Sequence, residues 1–321
     1  MTVGVVAVIT AFEPGDQLID VVRRVIPQTD SVIIVDDGSP SLLSGDDDRV
    51  RILLDEIGAL GVTVIENPEN RGIAHALNVG VRVALDRGAD AVLTLDQDTI
   101  IETDYVARVC DHLALARSLG LERVMASPNM INDEVAPFWF AEKGLTLAFE
   151  PIQSGLVVTR ATYDAVGLFE DELFIDCVDT EFYLRARARD CHALIVPGTM
   201  ITHSFGQFTS WTPPWFLRML LRKRRRGPGG EFVAFEFGVG APFRDYYVAR
   251  NRTVMYRRYW RTEPLWCAVS SSKDAIGLAR ALLTGDRSKE RIYLYASGIR
   301  AALSGETGKI PERTLRRAGR L

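Results

Sequence analysis

Four times within its first hundred residues the chain runs a short, unbroken apolar stretch straight into acidic or turn-forming residues. Val3 to Thr10 (VGVVAVIT) ends in Ala11-Phe12-Glu13-Pro14-Gly15, and Val32 to Val35 ends in Asp36-Asp37-Gly38-Ser39-Pro40. Val62 to Ile65 runs into Glu66-Asn67-Pro68-Glu69-Asn70-Arg71-Gly72, and Ala91 to Leu95 into Asp96-Gln97-Asp98. β-Branched runs bounded by Gly, Pro, Asn and Asp read as strands. Helical spacing fills the gaps: Asp16 can cap a helix with apolar positions at Leu18, Ile19, Val22 and Ile26, and Ile73 to Leu85 is another. Continuously apolar strands alternating with helices predict an α/β fold, a mostly parallel central sheet with helices on both faces. Open sheets of this kind bind ligands outside the carboxyl ends of their strands. Phe12-Glu13, Asp36-Asp37, Asn70-Arg71 and Asp96-Gln97-Asp98 are therefore expected around one crevice.

The second half is less regular. Ile152 to Thr159 and Ala193 to Val196 are predicted strands, and Asp179 to Arg189 a predicted helix. Gly227-Pro228-Gly229-Gly230 reads as a linker, and helices resume near Tyr246 and Ser271. The net charge of −4 conceals a strong asymmetry: 15 Lys+Arg against 33 Asp+Glu up to Thr212, then 23 against 9 from Pro213 onward. This divides the chain into an acidic α/β body, 1–210, and a basic, mainly helical region, 211–321. Four scattered cysteines (Cys110, Cys177, Cys191, Cys267) without a C-x-x-C pair, and no secretory h-region, lead us to expect a reduced, cytoplasmic chain. No stretch reaches the ~20 apolar residues of a membrane-spanning helix.

Asp96-x-Asp98 sets two carboxylates on one side of an extended segment. Two hard oxygen donors suit Mg²⁺ or Mn²⁺ bridging a diphosphate, although an isolated D-x-D is as well explained by a solvated turn. Asp36-Asp37-Gly38-Ser39 alone is likewise only a turn. Their order and spacing, with Asn70-Arg71-Gly72-Ile73-Ala74-x-Ala76-Leu77-Asn78 between them, carry more information.

As an ordered set these motifs resemble family 2 glycosyltransferases, and Thr94-Leu95-Asp96-Gln97-Asp98-Thr99 is similar to the rhamnosyltransferase branch. The resemblance extends through Thr10-Ala11-Phe12-Glu13-Pro14, Gln153-Ser154-Gly155, Val166-Gly167-Leu168-Phe169-Glu170, Leu173 to Glu181 (LFIDCVDTE), His203-Ser204-Phe205-Gly206 and Arg250-Asn251-Arg252, roughly Val3 to Tyr259. It implies a GT-A fold with a Rossmann-like nucleotide-binding half at about 1–100 and an acceptor half at about 101–210. It also implies an inverting, metal-dependent transferase.

By that resemblance Thr10, Phe12, Asp36, Asp37, Arg71, Asn78, Asp96 and Gln97 bind the donor nucleotide. Asp98, His203 and Asp96 hold a divalent cation, Mn²⁺ or Mg²⁺. His75, His112 and His192 keep ordinary structural readings. Inverting transfer needs a base that takes the acceptor proton, and a carboxylate at a helix start is stabilised there as an anion. Asp179 fits this role. Val178 stands where the family usually has a second acid, so Asp176 is the alternative, on the same helical face if the helix begins early. Glu181 and Arg185 form an i,i+4 pair that either orients the site or lies on the surface. Candidate acceptor contacts are Trp139, Phe140, Ser154, Gly155, Glu181 and Arg185.

The resemblance implies a dTDP- or UDP-sugar donor, first of all dTDP-β-L-rhamnose, and a glycan acceptor, lipid-linked acceptors included, in cell-wall polysaccharide synthesis. Another UDP- or dTDP-sugar, such as galactofuranose or glucose, is the second reading. A non-catalytic nucleotide-sugar binder, or a nucleotidyltransferase, is the third; against the last, Phe12 to Asp16 is not a Gly-rich basic loop. Trp211 to Arg226 (WTPPWFLRMLLRKRRR) reads as an amphipathic basic helix facing anionic lipid, with a core-packing helix as its competitor. It would make the enzyme peripheral on the inner face of the plasma membrane. Nucleic acid is not an expected partner, because the acidic body opposes it.

Overall fold

The computed structural model describes residues 3–45, 48–203, 207–211, 235–284 and 287–320. The chain divides into two compact units, Met1–Ser204 with Thr307–Lys309, and Phe205–Glu306 with Ile310–Leu321.

The first unit is built on β1 (Val5–Ala11), α1 (Gln17–Val25), β2 (Ser31–Asp36), α2 (Pro40–Ser44), α3 (Arg49–Ala59), β3 (Thr63–Glu66), α4 (Ile73–Asp86) and β4 (Ala91–Asp96). There follow β5 (Thr99–Ile101), α5 (Tyr105–Ser118), β6 (Val124–Ile131), β7 (Glu134–Val135), β8 (Phe138–Glu142) and β9 (Leu145–Ala148). The unit closes with β10 (Leu156–Thr159), α6 (Arg160–Val166), α7 (Val178–Arg187) and β11 (His192–His203). Its mixed, mostly parallel central sheet has the order β3-β2-β1-β4-β10-β6-β11-β9-β8, with β5 beside β11 and β7 beside β6. Strands β3, β2, β1 and β4 are mutually parallel, as are β6 and β11, while β10 runs antiparallel between the two groups. Every residue of β1 is buried, which is why its sequence is apolar throughout rather than alternating.

Asp16 sits at the N-cap of α1, but its side chain makes no capping bond. The residue has already taken up a helical conformation (φ −56°, ψ −24°), so its carboxylate is not set to reach forward. The β8–β9 hairpin was not expected from sequence.

Gly38 closes the turn after β2. Its φ is +68°, and a Cβ there would lie 2.3 Å from the backbone carbon of Glu69. Gly38→Ala should therefore lose roughly 3 kcal/mol or more, the sum of left-handed strain and a backbone clash. A denaturant midpoint no lower than that of the wild type would contradict this packing.

The second unit pairs β12 (Gln207–Trp211) with β13 (Phe235–Val239) and continues through α8 (Pro242–Tyr259), α9 (Pro264–Thr284), α10 (Ser288–Ser304) and α11 (Glu312–Ala318). Arg250-Asn251-Arg252 lies within α8. Of the basic segment Trp211 to Arg226, only Trp211 falls within the described residues, so the expected anchor helix lies outside them, as does the Gly227 to Gly230 linker. Among the described residues no helix is long and apolar enough to cross a membrane.

Candidate active site

Strand β4 delivers Asp96 to its carboxyl end, and the chain turns through Gln97 and Asp98 into β5. There Thr99 pairs with His203 at the far end of β11, antiparallel and in register. Two residues more than 100 positions apart are thereby made cross-strand neighbours. One ligand atom each from Asp96, Asp98 and His203 lie within 4.8 Å of one another. His203 Nδ1 is 3.3 Å from Asp98 Oδ1 and 4.0 Å from Asp96 Oδ2. Two hard carboxylates and an imidazole form a donor set that fits Mn²⁺ or Mg²⁺.

This cluster is braced from behind. The Asp96 N–H donates to Ser154 Oγ (2.9 Å), Ser154 Oγ donates to Thr99 Oγ1 (2.7 Å), and Thr99 Oγ1 is 2.8 Å from His203 Nδ1. Asn132, left-handed at φ 53°, accepts the His203 N–H and donates to the His203 carbonyl, at 3.0 and 3.1 Å. Thr99 and Asn132 are site residues that sequence reasoning did not assign. Thr99 stood inside the quoted motif, and Asn132 showed only the Asn-Asp pair of an ordinary turn.

Asp179 lies in the first turn of α7, where the helix dipole favours an anion. Its Oδ2 accepts the Gln153 N–H at 3.2 Å and its Oδ1 the Thr180 N–H at 2.7 Å. Gln153 adjoins Ser154, so two consecutive residues tie Asp179 to the Asp96–Thr99 corner. Asp176 does not share a helical face with Asp179. α7 begins at Val178, and Asp176 and Cys177 before it are left-handed (φ 64° and 63°), which takes Asp176 off the helix. Phe174, also left-handed, abuts Gly72, where a Cβ would lie 2.3 Å from the Phe174 carbonyl oxygen. The Asn70-Arg71-Gly72 loop and the loop into α7 are thus in backbone contact.

The Asp36-Asp37 pair is folded inward. Asp36 is fully buried and accepts both the Ser39 N–H and the Ser39 hydroxyl. Asp37 accepts the Arg71 N–H (3.2 Å), the Gly72 N–H (2.7 Å) and the Asn67 amide (3.2 Å), locking the two loops together. Burial raises the pKa of both carboxyls, with these hydrogen bonds opposing it. Asp36 therefore shapes the loop after β2 in this conformation. The Arg71 side chain is exposed. Phe12 is 41% exposed, and its N–H donates to Gln97 Oε1 at 2.8 Å. Thr10 Oγ1, Asn70 Oδ1 and Gln153 Nε2 are buried polar atoms without a hydrogen-bond partner, all on these loops or strand ends.

The same accounting gives several other expected site residues partners within the protein. Asn78 is buried and uses its amide on the Phe169 N–H and carbonyl and on Asp171, so it fixes the segment before α7. Ser154 and Gly155 are buried, the first in the bracing chain and the second packed on Ile201 and Tyr105. Glu181 is fully buried and pairs with Arg185, whose guanidinium also donates to the Val166 and Leu168 carbonyls at 2.6 and 2.8 Å. That pair staples α6 to α7 and is not a surface pair. The Trp139 indole donates to the Tyr183 hydroxyl, and its ring is engaged by Phe149 and the Arg187 guanidinium. Phe140 remains exposed. His75 pairs with Asp171 and His192 with Glu142, while burial lowers the pKa of His112.

An α/β sheet whose strand ends gather two acids and a histidine, with a further acid at the start of an adjoining helix, can hold a divalent cation beside another carboxylate. Residues 6–145 match the family described as Glycosyl transferase family 2, and the chain is a glycosyltransferase carrying a domain of that family. It is 24% identical over 255 residues to the dTDP-rhamnosyl transferase RfbF of Shigella flexneri, covering 74% of this chain and 76% of that protein. The structure of GalNAc-T7 with UDP, GalNAc and Mn²⁺ matches 63% of this chain at 16% identity and a TM-score of 0.52, and this chain spans 44% of it. S. aureus TarS 1-349 in complex with UDP matches 98% of this chain and 91% of its own at 14% identity, with a TM-score of 0.48.

Proposed function

We propose that the protein is an inverting, metal-dependent glycosyltransferase that moves L-rhamnose from dTDP-β-L-rhamnose to a hydroxyl of a cell-surface glycan. The observation that carries this reading is the meeting of Asp96, Asp98 and His203, tied through Ser154 and Gln153 to Asp179. Similarity to a dTDP-rhamnosyl transferase supports the donor.

Asp98 and His203, with Asp96, would hold the divalent cation, which when bound neutralises charge on the departing nucleoside diphosphate. The unpartnered Thr10, Asn70 and Gln153 atoms offer polar contacts to the nucleotide, and Arg71 and Phe12 are exposed beside them. Asp179 takes the proton of the acceptor hydroxyl as its oxygen bonds to the anomeric carbon from the side opposite the leaving group. The sugar–phosphate bond breaks in the same event, so the anomeric configuration inverts. Phe140 supports an acceptor role at the surface. The basic Trp211 to Arg226 segment supports placement at an anionic membrane surface, where lipid-linked acceptors reside.

A donor screen that reads nucleoside diphosphate release, with Mn²⁺ or Mg²⁺ and again after chelation, tests the proposal. Release from dTDP-β-L-rhamnose that stops on chelation and returns with metal is expected. Preference for another UDP- or dTDP-sugar removes the rhamnosyl assignment, and undiminished turnover in chelator removes the metal.

A further inference from the structure

The second unit contains a basic pocket with no part in the proposed chemistry. A cavity of about 250 Å³ opens between α10 and α11, and three arginines line it, Arg300 from α10 with Arg313 and Arg317 from α11. Arg313 and Arg317 are four apart and so share one face of their helix. The other face is self-satisfied, since Arg316 pairs with Glu312 at 2.6 Å. Among the described residues, none of the three pocket arginines forms an ion pair. Arg317 instead lies over the Tyr293 ring, 5.7 Å from its centroid. The pocket's acid is Glu306, and it sits in the field of a fourth guanidinium, Arg250, which is buried beneath Tyr246 and Tyr247. The lining thus carries an excess of unneutralised guanidinium groups in a concave site. Tyr293 and Tyr246 also line it, with the buried Ser297.

Guanidinium groups bind phosphate oxygens through paired, charge-assisted hydrogen bonds. Several converging on a small cavity suit a compact dianion better than a flat anionic surface. We propose that this pocket is a binding site for a phosphate or diphosphate group, distinct from the acid and histidine cluster of the first unit. That chemistry is presented both by free phosphates and by phosphorylated lipid headgroups, and the two sources are separable.

Titration calorimetry of the full chain with inorganic pyrophosphate, in chelator so that no cation bridges to the acidic cluster, tests the free anion. Flotation with phosphatidylcholine vesicles containing phosphatidic acid tests the headgroup. The Arg313→Glu/Arg317→Glu variant should lose affinity about tenfold or more for whichever probe binds. The Arg316→Glu/Arg320→Glu variant, with the same change of charge outside the pocket, should bind as the wild type does. Arg313→Gln/Arg317→Gln gives the same reading should the charge reversal impair folding, which circular dichroism checks. Binding of pyrophosphate alone identifies the free anion, and of vesicles alone the headgroup. Failure of the wild type to bind either probe, or equal loss in the pocket and control variants, overturns the proposal.

Discussion

Asp98→Ala is expected to lower turnover by about a thousandfold or more, because stabilisation of a leaving diphosphate by a cation is worth several kcal/mol. The carboxylate is one of the three-residue donor set and lies 3.3 Å from His203 Nδ1. Its loss should also weaken dTDP binding in Mn²⁺ and leave binding in chelator unchanged. Calorimetry under the two conditions separates these effects. Equal affinities of variant and wild type in Mn²⁺ would remove Asp98 from the metal site.

Asp179→Asn should behave differently. Turnover falls roughly 10²- to 10⁴-fold, the usual worth of a positioned base, while donor affinity stays close to that of the wild type. The amide oxygen can still accept the Gln153 N–H that the carboxylate now holds, so the corner keeps its shape. Donor affinity reduced as much as in Asp98→Ala would overturn the division between a metal-binding acid and a proton-accepting one.

The nucleotide-side architecture was legible because β1, β2 and β4 are buried along almost their whole length and so write themselves as apolar runs. The predicted helix at Ile73 to Leu85 is α4, Ile73–Asp86, and the strand at Ala91 to Leu95 is β4, Ala91–Asp96. The β8–β9 hairpin left no such trace: Phe138 and Phe140 are exposed, so their hydrophobicity does not mark a core face. Within the site, types of residue were easier to read than directions. Asn78, Ser154 and Glu181 are polar residues in a transferase-like motif, and nothing in a sequence shows that such side chains bond to neighbouring backbone and side chains as these do. The pairing of Asp98 with His203 was accessible through motif resemblance alone, since it depends on a three-residue strand meeting the end of β11. Asn132 was hidden for the opposite reason, its role residing in backbone contacts that a turn-forming residue does not advertise.

Strand β11 does not run beside β6 at a constant offset. Val196 is level with Pro128 but Met200 with Met130, so β11 spends two additional residues on the same distance, around Gly198 and Thr199. An even surplus preserves the inward or outward sense of every later side chain while changing how far along the sheet each one travels. Excising that slack would straighten the ladder and draw the imidazole about 6–7 Å away from the carboxylates it now meets. The irregularity thus works as a length adjustment, and relatives that differ in it would have to recruit the third ligand from a different position.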